Sequence, residues 1–443
     1  MQANRDLALD TAGDALINRD SGAQGGLIAL GNLRLRGGDI DNQNGFIAAS
    51  GVTDLTGGRV NNVQGQMAGN GGLLLHSQAA DNSSGTMQSG GDLQIDTAGQ
   101  TLTNREGKLV GAGATRIDSG PLDNQRGHIQ GGSGLTLNAG GAALLNQQGR
   151  LLSAGSMTLS ADSLNNQSGQ LQASGDGRLE LARQLDNRAG LVRGGKTLTL
   201  SAPEILNRDT RQGENGIEAN ALTLTAQRLD NGNGALRATQ NLTASVTGAL
   251  DNRDGLTSSA GTFDLHDGAH GQQLAVNNQG GTLIAGSAGS LNAASLSGDG
   301  QILSQGSLSL TLGSSFHNTA TLGANGDLTL TSAGDLLNEG SITSGAGMHL
   351  QAQNINNAAP AEISGQAVHL NAGNTLDNAG LIDGGLTHLV AGTLNNSGTG
   401  RIYGDRIAIQ AGRLNNLSQN DKAAVIAARD RMDIGAGAID NRD

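Results

Sequence analysis

The 443-residue chain has 72 Gly, 3 Pro, no Cys and no Trp, and its only aromatics are Phe46, Phe263, Phe316 and Tyr403. This excludes disulfides, thiol catalysis and cysteine-based zinc sites, and it excludes a core built on large aromatic rings. A net charge of −12 argues against nucleic acid as a partner.

Read from the amino terminus, one unit recurs. Early copies are DIDNQNGFIAAS, RVNNVQGQMAGN and AADNSSGTMQSG; later ones include PLDNQRGHIQGG, SLNNQSGQLQAS, QLDNRAGLVRGG, RLDNGNGALRAT and ALDNRDGLTSSA. The consensus is G-x-L-x-L-x-A-x-x-L-D/N-N-x-x-G-x-I/L-x-A/S-G. Its anchor is an Asn that follows an apolar residue at two or three positions' remove. The anchors are Asn18, Asn42, Asn62, Asn82, Asn104, Asn124, Asn146, Asn166, Asn187, Asn207, Asn231, Asn252, Asn278, Asn318, Asn338, Asn357, Asn378, Asn396, Asn416 and Asn441. Most spacings are roughly 20 to 22 residues; the 40-residue gap from Asn278 to Asn318 hides a degenerate copy, LSGDGQI, around Leu296 to Ile302. Coil boundaries between residues 279 and 316 stay open.

Such self-similarity is the mark of a repeat architecture. The L-x-L segments and single Ile/Leu positions alternate with period two, which predicts short strands with one buried face. Glycines between them allow corners. No helical period separates the strands, so a βαβ fold is excluded. Three strands and their corners make one coil, and about 21 coils stacked at about 4.8 Å predict a rod near 100 Å long. One coil cannot bury enough to fold alone; stacking supplies the rest. The expected fold is all-β, a right-handed parallel β-helix, with right-handedness following the general preference of parallel crossovers. Residues 1–443 read as one continuous array with no separate globular domain.

The Asn column is expected to be structural. On successive coils the side-chain amides can hydrogen-bond one to the next, as in stacked Asn/Gln ladders. Asn also tolerates the left-handed backbone that a corner needs. A row of cation ligands is the rival, but the position before the Asn varies between Asp, Asn, Thr and Leu.

Residues 254–400 contain no Lys or Arg and ten acids, a charge-distinct stretch of the same array. Extra residues follow Asn18 (RDSGAQGG), Asn207 (RDTRQGENG) and Asn416 (LSQNDKAA), all at one corner. Loops extruded there are where a binding surface would sit. FDLHDGAHGQQL adds His266, Asp267 and His270, too few ligands for a metal site. His317, His349, His369 and His388 read as scattered surface positions. Gly190 to Thr197 matches G-x-x-x-x-G-K-[ST], but that motif cradles phosphate only between a strand and a helix, and TLTLSA reads as a strand. No nucleotide, metal, cofactor or catalytic residue is expected. An apolar run of about 18 residues, as a membrane-spanning helix needs, is absent, and no signal peptide stands at Met1.

The unit L-D-N-x-x-G-x-I-x-A-G with flanking L-x-L-x-A resembles the haemagglutinin repeats of filamentous haemagglutinin-like proteins. These include the exoproteins of two-partner secretion and the contact-dependent growth inhibition effectors of Gram-negative bacteria. The resemblance covers essentially the whole chain. It implies a right-handed β-helical shaft on the cell surface. It further implies an outer-membrane transporter engaged through a separate amino-terminal domain, and receptor-binding or toxin regions elsewhere. The chain starts and stops mid-repeat, which is expected of a piece of a longer exoprotein. The expected role is a stalk holding a distal adhesin or toxin away from the cell. Direct adhesion to a host or bacterial receptor is the alternative, and a β-helical polysaccharide-active enzyme the second. The enzyme reading is disfavoured because repetition makes many equal sites and catalysis needs one special site.

Overall fold

The alternation of apolar and polar residues places each short strand against a narrow interior. In the computed structural model, which describes residues 1–268 and 273–442, a representative coil contains β1 (Arg59–Asn61), β2 (Gln66–Gly69) and β3 (Gly72–His76). Val60, Met67, Leu73 and Leu75 point inward and are buried, whereas Leu74 and His76 of β3 face outward. Each strand pairs in parallel with its counterparts on the coils before and after: Gln66 is in register with Phe46 and with Thr86. In the same way Gly72 is in register with Val52 and Asp92. The fold is thus an all-β parallel solenoid of about 20 turns. The one helical turn among the described residues, Gly22–Gly25, lies within the insertion after Asn18.

Two compact units are distinguished, Met1–Ala226 and Gln227–Asp443. In the first, most coils keep three short strands separated by corners. Towards the end of the second, the strands run through the corners. Glu362–Asn378, Leu381–Ser397 and Arg401–Leu417 are each 17 residues long. Pairing between the last two keeps one register around the faces, from Leu381 with Arg401 to Ser397 with Leu417.

The core is Leu, Ile, Val, Met and Ala stacked on themselves. Phe263 and Phe316 are the buried exceptions, and Phe263 shows the constraint. It is fully buried and in register with Gly289 on the next coil. A Cβ on Gly289 would lie 2.9 Å from the Phe263 ring. A large residue on one layer is accommodated by the smallest on the next, so local volume stays near close packing.

All three insertions leave the same corner, and parallel pairing resumes after each. Pairing resumes at Leu27 with Ile47, at Gly216 with Leu191 and at Val425 with Arg401. Within the last insertion Gln419 and Lys422 form an antiparallel bridge. The expanded segment with His266 and Asp267 departs from a different corner, and its His270 lies outside the described residues.

Candidate functional site

The most regular constellation is the corner that carries the anchor Asn. Asn62 shows its chemistry. It accepts from Asn42 Nδ2 at 2.7 Å and donates to Asn82 Oδ1 at 2.7 Å. The same Nδ2 approaches the carbonyl of Gly65 at 3.2 Å in its own coil and that of Thr86 at 3.3 Å on the next. One amide therefore joins two coils and closes the turn. In the first unit the chain of side-chain bonds runs from Asn18 through Asn42, Asn62, Asn82, Asn104, Asn124, Asn146, Asn166 and Asn187 to Asn207. In the second it links Asn231, Asn252 and Asn278, and separately Asn318, Asn338, Asn357, Asn378, Asn396, Asn416 and Asn441. The interior members are buried, apart from Asn416 near the end of the chain of bonds. A buried amide is costly unless it is bonded; the stacked arrangement supplies a partner for donor and acceptor alike.

The backbone of the corner differs from the expectation that the anchor Asn itself takes the left-handed conformation. The left-handed residue stands two positions later: Asn44 (φ 50°), Gln64 (55°), Ser84 (54°), Arg126 (55°) and their equivalents. These side chains point to solvent, so many residue types are tolerated there, at some strain cost. The next residue is Gly for a different reason. Gly65 has no positive φ, but a Cβ there would lie 2.2 Å from the carbonyl oxygen of Asn42. The glycine column permits close approach between coils.

The residue before the anchor also has a use that sequence reasoning missed. Where it is Asp or Asn, its side-chain oxygen accepts from the amide two residues on. Asp41 caps Gln43 N at 3.2 Å, Asn61 caps Val63 N at 3.1 Å and Asp81 caps Ser83 N at 2.9 Å. This local turn bond is what Asp and Asn share. It explains why the two alternate there, and the D/N-N pair was the visible signal.

The ladder breaks once within the second unit. Gly298 stands where Asn is expected, because Val276 and Asn277 are in register with Leu296 and Ser297. With no amide opposite, Asn278 Nδ2 keeps only the carbonyl of Gln301, at 3.3 Å. A water-sized void of about 10 Å³ remains, bordered by Asn278, Gly298, Phe316 and Asn318. Gly298 has φ 101°, and a Cβ would lie 2.3 Å from Gln279 N. The same coil marks a change of corner. Before it, the next strand begins four residues after the anchor, as from Asn42 to Phe46 and Asn278 to Thr282. After it the interval is no longer constant: three residues from Asn318 to Thr321, Asn338 to Ser341 and Asn378 to Leu381, but five from Asn357 to Glu362 and Asn396 to Arg401.

The histidines are not scattered. His349, His369 and His388 are in register on three successive coils. The first two rings stack with centroids 4.8 Å apart, and the next pair meets edge-on at 4.5 Å. Partial burial, then the neighbouring His388 and His349, lowers the pKa of His369 below its ordinary value. The spacing of about 20 residues between them was the overlooked signal. His317 stands apart, 2.7 Å from Glu339. His266 lies 3.2 Å from Asp264. No group of three or more His, Asp or Glu among the described residues is arranged to hold a metal ion.

Two further features bear on chemistry. An open groove of about 470 Å³ passes Asp81, Thr103 and Asp123. Asp123 is ion-paired with Arg105 at 2.5 Å, and Asp81 accepts from Ser83 Oγ at 2.6 Å, so both carboxylates are engaged. The Gly190 to Thr197 segment has Gly190 at a corner and Leu191–Ser201 as one strand. Thr197 Oγ1 donates to Asp176 at 2.7 Å.

Comparison with known proteins agrees with this geometry. A family model described as haemagglutinin repeat matches residues 10–104, 88–145, 135–184, 176–217, 210–268, 267–311 and 303–416. Over 172 residues, 36% of the chain, the sequence is 34% identical to a protein named deoxyribonuclease CdiA from Dickeya dadantii (strain 3937); the match spans 5% of that relative. No solved structure matches the chain.

Proposed function

Since the chain belongs to the haemagglutinin-repeat family, we propose that it is a shaft segment of a large secreted exoprotein, holding a distal adhesin or toxin away from the producing bacterial cell. The observation that carries this reading is the recurrence of one buried amide ladder through coil after coil. What recurs everywhere serves what every coil must do, which is to hold its neighbours in register. Parallel backbone pairing and the ladder together resist bending and sliding, and each coil adds about 4.8 Å of reach. The rest of the parent exoprotein and an outer-membrane transporter of two-partner secretion are its proposed partners, at the outer face of the cell.

The test is a series of whole-coil deletions in the parent exoprotein, scored for delivery to a neighbouring cell. A spacer loses function gradually with length, whichever coils are removed. One indispensable coil, with neighbours that are freely removable, would sink the reading.

Direct adhesion is the second reading, favoured by the three insertions that leave a single corner. Cell binding by the isolated chain, abolished on trimming those insertions, would support it. No catalytic role is proposed.

A further inference from the structure

We propose that the face around Lys108, His128 and Arg150 is a binding site for the phosphate groups of a phosphorylated saccharide. These residues open the same strand position on three successive coils and are in register, Lys108 with His128 and His128 with Arg150. Lys108 and Arg150 are exposed and His128 is half-buried between them. They border an open groove of about 570 Å³ that also includes Arg126 and Gln148.

What sets this face apart is that its cations stand in register with no carboxylate between them. Among the described residues Arg36 and Arg59 also lack an ion pair, but neither is in register with another cation. Several other cations of the first unit are met by carboxylates of the next coil. Arg105 pairs with Asp123, Arg193 with Glu218 and Arg19 with Asp41. In the groove, Arg126 is paired with Glu106 at 2.6 Å. Among the described residues, neither Lys108 nor Arg150 has a carboxylate partner. Two unneutralised cations two coils apart, about 10 Å at the strand spacing, carry a local positive field on a chain of net charge −12. An anion relieves that repulsion.

The side-chain chemistry narrows the anion. Arg150 offers a planar fork of donors and Lys108 a mobile point charge, and both suit phosphate oxygens. Both arms are long enough to converge over His128, whose Nε2 lies 3.0 Å from Gln130 Oε1. No Phe, Tyr or Trp borders the groove, so a sugar ring has no broad stacking platform. Recognition is therefore of the charged substituent, with the saccharide lying along the open groove. This site stands apart from the spacer role, which survives if it fails.

The experiment compares the full chain with a K108Q/R150Q variant and with an R36Q/R59Q control that removes two other exposed cations. Each is passed over immobilised phosphomannan, immobilised unphosphorylated mannan, and vesicles of phosphatidylcholine with or without phosphatidylglycerol. The native chain and the control should be retained by phosphomannan and not by mannan, with retention falling as salt rises. The K108Q/R150Q variant should bind at least about tenfold more weakly, given the worth of two charge-assisted contacts, with an unchanged circular dichroism spectrum. Equal losses in variant and control, or no retention of the native chain on phosphomannan, would overturn the site. Retention by the anionic vesicles alone would overturn the saccharide assignment and place the phosphate on a lipid.

Discussion

Asn104 offers the sharpest test of the amide ladder. It accepts from Asn82 Nδ2 at 2.7 Å and donates to Asn124 Oδ1 at 2.7 Å, and it is fully buried. In Asn104→Ala the two neighbours fare differently. Asn82 Nδ2 retains the carbonyls of Gly85 and Lys108, each at 3.2 Å. Asn124 Oδ1 loses its ladder donor inside the protein. One orphaned buried acceptor costs about 1–3 kcal/mol, and the small void adds about 1 kcal/mol. The expected loss is therefore about 2–4 kcal/mol. Asn104→Asp should be worse, because its carboxylate still accepts from Asn82 but faces Asn124 Oδ1, acceptor against acceptor, with a buried charge. Gln125→Ala, one residue beyond the next anchor and outside the ladder, serves as control and should change stability by less than about 0.5 kcal/mol. Urea unfolding measures the total. Hydrogen exchange at the amides of the coils around Asn82, Asn104 and Asn124 measures the local effect, which matters because long repeat arrays need not unfold in one step. If Asn104→Ala matches Gln125→Ala in both assays, the ladder is decorative and the reasoning fails.

Other expectations follow from the same geometry. Gly65→Ala should destabilise by about 2 kcal/mol or more through overpacking, since its Cβ would meet the Asn42 carbonyl. Gly72→Ala, whose Cβ finds nothing nearer than 3.7 Å, should be neutral or stabilising by up to about 1 kcal/mol; the reverse order in thermal melts would contradict the close-approach argument. Removing residues 63–82 joins Asn62 to Ser83 in the repeat frame, and the shortened chain should keep its strand circular dichroism and unfold at a similar urea concentration. His369, stacked between His349 and His388, should make the second unit acid-sensitive. His369 has a folded pKa below its ordinary value of 6.5, so the unfolded state takes up protons first. Its contribution is complete above that ordinary value and is lost as pH falls through it towards the lowered folded value. Thr329 and Ala408 flank the column in register, and Asp327 borders its groove. The drop in urea midpoint between about pH 7.5 and about pH 5.5 should shrink in His369→Gln; an unchanged drop would show that other groups set it.

Much of this protein is legible in its sequence because the repeat writes the same physical requirement many times. Leu73 and Leu75 alternate with Leu74 and His76 as a half-buried strand must, and the near-constant interval between anchors implies stacked coils of one size. Membership of the haemagglutinin-repeat family was visible in the L-D-N-x-x-G corner for the same reason. Requirements local in the chain leave a periodic signature, and requirements shared between coils are seen only when the coils are stacked. The glycine after Gln64 looked like a turn residue, yet it is the Asn42 carbonyl on the previous coil that forbids a side chain there. Gly298 looked like a degraded repeat, and only the register of Asn277 with Ser297 shows it to be the place where the ladder stops and the corner changes. His349, His369 and His388 sit far apart in the chain and touch in space, as do Lys108, His128 and Arg150. Period and composition determined the coil; which side chains meet across coils was decided by the stacking register, because a parallel solenoid turns sequence distance of one repeat into direct contact.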